Sequence, residues 1–132
     1  MRVMPVEKAM GYDLHITKAE DWVDSSVSPI SQEAWYELVE SDPELVVSDD
    51  SYYDRSGKGG SLERIYATQW VASSDEVVFW FQDGEVVAKN PDDDTIIKML
   101  DMAEGLGARV QGDDGEIYHR KNTAPGWAVS NP

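Results

Sequence analysis

The sequence predicts an α+β domain: a mainly antiparallel sheet of about five to seven strands built from hairpins, with two helices packed on one face. Three observations lead there. The stretch VVFWFQDGEVVAKN (77–90) places two apolar runs around Asp83-Gly84, the preferred chemistry of a two-residue hairpin loop. Two segments, 31–42 and 90–107, carry apolar residues at spacings of three and four between helix start and stop signals. Hairpins join strands antiparallel, so strands that come in hairpins do not make a wound parallel sheet.

The elements follow in order. Residues 1–10 lack a clear period and read as a loose leader before a single domain over 11–120. YDLHIT (12–17) alternates, with Tyr12, Leu14 and Ile16 on one face and Asp13, His15 and Thr17 on the other, as in a half-buried strand. Residues 18–30 form a connection containing Trp22. Ser31 is a good N-cap, and Ile30 and Trp35 are placed for a hydrophobic staple. Trp35, Leu38 and Val39 share a helix face, and Pro43 ends the helix by disfavouring helical geometry at Asp42.

LVV (45–47) reads as a short strand and DDSYYDRSGKGGS (49–61) as a long polar loop. RIYATQWVAS (64–73), rich in aromatic and β-branched residues, reads as a strand. The Asp83-Gly84 turn sets a register with Phe81 opposite Val86, Trp80 opposite Val87 and Phe79 opposite Ala88. Both faces of that hairpin are apolar, so it needs cover on both sides, from a helix, a partner or a second copy in a homodimer.

In NPDDDTIIKMLDMAEGLG (90–107), Asn90 is placed to cap and Pro91 to open a helix. Asp92, Asp93 and Asp94 face the positive end of its dipole. Ile96, Ile97, Leu100 and Ala103 make its buried stripe, and Gly105 or Gly107 ends it. ARVQ and EIYHR flank QGDDGE as a last hairpin, with Asp114-Gly115 as its turn dipeptide. Residues 121–132 read as an irregular tail that Trp127 docks.

Composition narrows function more than any motif does. The chain has 132 residues and 41% hydrophobic residues, enough for one core. No apolar run is long enough for a membrane helix or a secretory signal. Cysteine is absent, which removes disulfides, thiolate metal sites and a cysteine nucleophile and suits the cytoplasm. With 26 acidic against 11 basic residues the net charge is −15, which repels nucleic acid and anionic membranes and attracts a basic protein surface. The same acidity also serves plain solubility.

No nucleophile elbow is present, and RSGKGGS (55–61) has neither P-loop nor dinucleotide spacing. The Asp92–Asp94 run lacks the alternating ligands of a calcium loop. No catalytic residue, metal site or cofactor is therefore expected. The alternative is a small metal- or ligand-binding domain or enzyme using His15, His119 and nearby carboxylates, brought together across the sheet. Two stretches suit a basic partner instead: Asp49, Asp50, Tyr52, Tyr53 and Asp54 in the long loop, and Asp113, Asp114 and Glu116 at the last turn.

Four pieces, GYDLHIT (11–17), PISQEAW (29–35), WVASSDEVVFWFQDGEVVAKNP (70–91) and GARVQGDDGEIY (107–118), carry a family resemblance. Together they resemble small acidic bacterial immunity-type proteins of polymorphic toxin systems. The resemblance implies a cytoplasmic protein that binds a cognate toxin and neutralises it by occlusion, acidic surface against basic surface. It carries over no catalytic residue.

Overall fold

The computed structural model describes residues 12–73 and 76–131, and the leader lies outside them. Among the described residues, eight strands form a single sheet and two α-helices accompany it. The strands are β1 (Asp13–Thr17), β2 (Leu45–Ser56), β3 (Leu62–Trp70), β4 (Val78–Gln82), β5 (Glu85–Lys89), β6 (Arg109–Gly112), β7 (Ile117–Arg120) and β8 (Trp127–Ser130). Helix α1 (Gln32–Ser41) lies between β1 and β2, and α2 (Asp93–Leu106) between β5 and β6. The spatial order is β2-β3-β4-β5-β1-β6-β7-β8, and every pairing is antiparallel. The first strand is thus central, flanked by two meanders.

The helices cover one face. Leu14, Ile16, Phe79, Val86, Ala88, Val110 and Tyr118 point from the sheet into a core closed by Trp35 and Val39 of α1 and by Ile96, Met99, Met102 and Ala103 of α2. Each fully buried Leu, Ile, Val, Phe or Met side chain among them contributes about 1.5–3 kcal/mol. Ser31 caps α1 by accepting the Ala34 N–H at 3.0 Å, and Ile30 and Trp35 are both buried, as the staple requires.

The Asp83-Gly84 hairpin has the expected register, with Trp80 opposite Val87 and Phe81 opposite Val86. Both turn residues have positive φ, 54° and 79°, the type I′ geometry. Gly84 is doubly required there. A Cβ at this position would lie 2.5 Å from Pro29 Cβ, because the 18–30 connection presses on the turn and Ile30 N–H donates to Gly84 O at 2.9 Å.

Several expectations are corrected. The sheet has eight strands, and the additional one is β8, in a tail expected to be irregular. Its Trp127 packs on Tyr118 with ring centroids 5.2 Å apart and donates its indole N–H to Asp93 Oδ1 at 3.0 Å. Most of the expected loop 49–61 is strand. β2 runs to Ser56 because Asp54 and Arg55 lie directly opposite Arg64 and Glu63 on β3 and form ion pairs with them.

Helix α2 is capped by Asp92, not Asn90. The Asp92 carboxylate accepts the Thr95 N–H at 2.9 Å and its hydroxyl at 2.6 Å, which holds that carboxyl below its usual pKa. Asn90 instead adopts φ 47°, and its Oδ1 accepts the Tyr12 N–H at 3.0 Å. Met99, Met102 and Leu106 join Ile96 and Ala103 on the buried stripe, while Ile97 and Leu100 are only half-buried.

Candidate functional site

β1 is buried on both faces. On the face away from the helices His15 is 4% exposed and Thr17 0%. The cover there is the connection after β1. Asp21 caps a short 3-10 turn, Trp22–Asp24, and the turn lays Trp22 flat on His15 with ring centroids 3.9 Å apart and planes 7° from parallel. Gln111 of β6, the cross-strand neighbour of His15, holds the turn in place. Its Oε1 accepts the Trp22 N–H at 2.7 Å and its Nε2 donates to Glu20 O at 2.8 Å. The Trp22 indole N–H donates to Asp113 O at 3.1 Å.

His15 is bracketed by carboxylates. Its Nδ1 lies 2.6 Å from Glu85 Oε1, and its Nε2 lies 2.8 Å from Asp113 Oδ1. Glu85 opens β5 directly after the Asp83-Gly84 turn. Asp113 follows β6, in the four-residue connection 113–116, where Gly115 N–H donates to Gly112 O and Gly115 has φ 82°. Only an imidazolium can donate from both ring nitrogens. A neutral ring would set a lone pair against one of the carboxylates. Burial opposes the charge on His15, but the hydrogen bonds to Glu85 and Asp113 and their negative charges outweigh it, so its pKa is raised.

Beside this cluster is a cleft of about 520 Å³, lined among others by Asp13, His15, Trp22, Tyr53, Trp80 and Asp113. Tyr53 of β2 packs edge-on against Trp80 of β4 at 5.1 Å and donates its hydroxyl to Gln82. Asp13 is held at the rim by its N–H, which donates to Asp113 Oδ2 at 3.0 Å. Burial raises the Asp13 carboxyl pKa, against the lowering effect of Lys89, whose Nζ lies 3.8 Å away.

The residues read from sequence as partner-binding separate by position. Tyr53 and Asp113, far apart in the chain, meet at the cleft. Asp49 and Asp50 are exposed at an irregularity of β2, where Ser48 Oγ donates to Asp50 at 2.8 Å. Tyr52 and Asp54 point to the other face of β2. There Arg64 lies 3.9 Å over the Tyr52 ring and donates to Asp54 from Nε at 2.8 Å and from Nη2 at 3.2 Å. Asp114 is exposed, and Glu116 turns inward to accept the Tyr12 hydroxyl.

His119 does not line the cleft. It is exposed on β7, with Nε2 2.7 Å from Ser130 Oγ, so the two histidines form separate environments. Among the described residues, no group of three or more His, Asp or Glu is arranged to hold a metal ion. Sequence reasoning missed Glu85, Trp80, Gln82 and Gln111 as site residues. The available signal was register: Trp80 opposite Val87, and Gln82 opposite Glu85 just before the turn, put these side chains on the His15 face. Comparison with protein-family models, with curated proteins and with solved structures finds no match for the chain.

Proposed function

We propose that this protein is a binding protein of the immunity type, which neutralises a toxic partner by covering a basic surface with an acidic one. The observation that carries the reading is the convergence of Tyr53 and Asp113 on one aromatic and acidic cleft, on a chain of net charge −15. The cleft joins rigid elements: β2 and β4 on one side, the Trp22 turn and the β6–β7 loop on the other. Pre-organised aromatic anchors beside carboxylates favour a basic protein partner, and the overall charge speeds its encounter. Exposed Asp49, Asp50 and Asp114 would then act at the rim, where charges set association rate and salt dependence more than affinity.

The test is coexpression with the product of the adjacent gene. The reading expects that product to be toxic alone, harmless with this protein, and captured by it in a 1:1 complex that weakens as salt rises. An adjacent product that is harmless alone, or toxic and unaffected, contradicts it.

A further inference from the structure

We infer that the cleft over His15 is a guanidinium-binding site and, resting on the partner reading above, the seat of an arginine side chain of that partner. Trp80 and Tyr53 stand edge-to-face on one side, and the Trp22 indole covers His15 on the other. Aromatic faces carry negative charge and attract cations. The volume of about 520 Å³ lies in the range of small-ligand sites.

Charge decides the class of ligand. Asp13, Glu85 and Asp113 face the cleft together with His15 and Lys89. An anion would meet three carboxylates there. The His15 charge is already directed at Glu85 and Asp113. The Lys89 charge is not firmly placed: its side chain is 67% exposed and reaches the Asp13 carboxylate only at 3.8 Å. Asp13 is therefore a half-buried carboxylate with one loose ion-pair partner among the described residues. A cation entering the cleft can displace Lys89 and take that carboxylate.

Planarity selects guanidinium over ammonium. A flat delocalised cation stacks on aromatic faces and donates two parallel bonds to a carboxylate. The fold already builds both halves of that arrangement. Arg64 stacks on Tyr52 while donating twice to Asp54, and the flat His15 ring stacks on Trp22 between two carboxylates.

The test is an NMR titration of the full chain with n-butylguanidinium, with n-butylammonium and 1-butanol as controls. Expected are saturable shifts of the Trp22 and Trp80 indole N–H signals with butylguanidinium, weaker binding of butylammonium, and none with butanol. Asp13→Asn, isosteric and uncharged, should weaken butylguanidinium by about tenfold, while Lys89→Met should tighten it severalfold. Circular dichroism confirms that each variant is folded. Equal binding of butanol, or affinity unchanged by Asp13→Asn, overturns the inference.

A second arm separates it from the partner reading. Where the adjacent gene product is captured, Asp13→Asn and Trp80→Ala should weaken that capture. Undiminished capture by both variants overturns the cleft as the seat and leaves the partner reading standing. Butylguanidinium binding without any protein capture upholds the site, removes the partner reading, and assigns the cleft to a free guanidinium compound.

Discussion

His15 and Lys98 answer the same problem on opposite faces of the sheet. Each is a buried cation between two carboxylates beside an indole. His15 has Glu85 and Asp113 at 2.6 and 2.8 Å and Trp22 stacked at 3.9 Å. Lys98 of α2 has Asp42 and Glu44 at 2.6 and 3.0 Å and Trp70 at 5.8 Å. For both, burial opposes the charge and the carboxylates overcome it, so both pKa values are raised. The consequence differs because the starting points differ. Raising a lysine makes its charge permanent, and Lys98 ties α2 to the α1–β2 connection at any ordinary pH. A raised histidine still loses its charge as pH climbs above its folded pKa, so the tie that holds Trp22 and Asp113 is conditional.

The largest effect is expected from His15→Ala. The substitution leaves Glu85 and Asp113 without their shared cation and removes the surface on which Trp22 lies, so a loss of about 3–5 kcal/mol is expected in urea unfolding. Lys98→Met should cost less, about 1–2 kcal/mol, because Asp42 and Glu44 keep contact with water and the methionine stem retains the packing.

The pH dependence sharpens the contrast. A group whose folded pKa is raised contributes its full stability below the unfolded value, 6.5 for histidine, and loses it as pH rises through the folded value. The urea midpoint should therefore fall as pH climbs from about 6.5 upward. Lys98→Met should keep that slope and His15→Gln should flatten it. A slope that survives in His15→Gln would place its origin elsewhere. The smallest effect belongs to His119→Gln: His119 is exposed and hydrogen-bonded to Ser130, so stability should change by less than about 0.5 kcal/mol.

Local chemistry in the sequence foretold much of the fold and little of the site. Ser31, Pro43 and Asp83-Gly84 act on backbone within a few residues of themselves, so their roles are readable from neighbours. Asn90 reads as the cap from sequence, but its side chain accepts the N–H of Tyr12, distant in the chain, and Asp92 caps the helix instead. DDSYYDRS looked like a loop because aspartate and serine are poor strand formers. Its charges find complements on β3 only once the register is known. The His15 site joins β1, β5, the β6–β7 loop and the Trp22 turn, so no single segment contains it. The alternation of Asp13, His15 and Thr17 marked the face but not what covered it.

Whether His15 is an imidazolium held between two carboxylates is read most directly by two-dimensional 1H–15N NMR of the histidine side chains. At pH 6.5, where a free histidine is half deprotonated, both His15 ring nitrogens should be protonated in most molecules. A His15 ring that carries one unprotonated nitrogen in half or more of the molecules at pH 6.5 would contradict it.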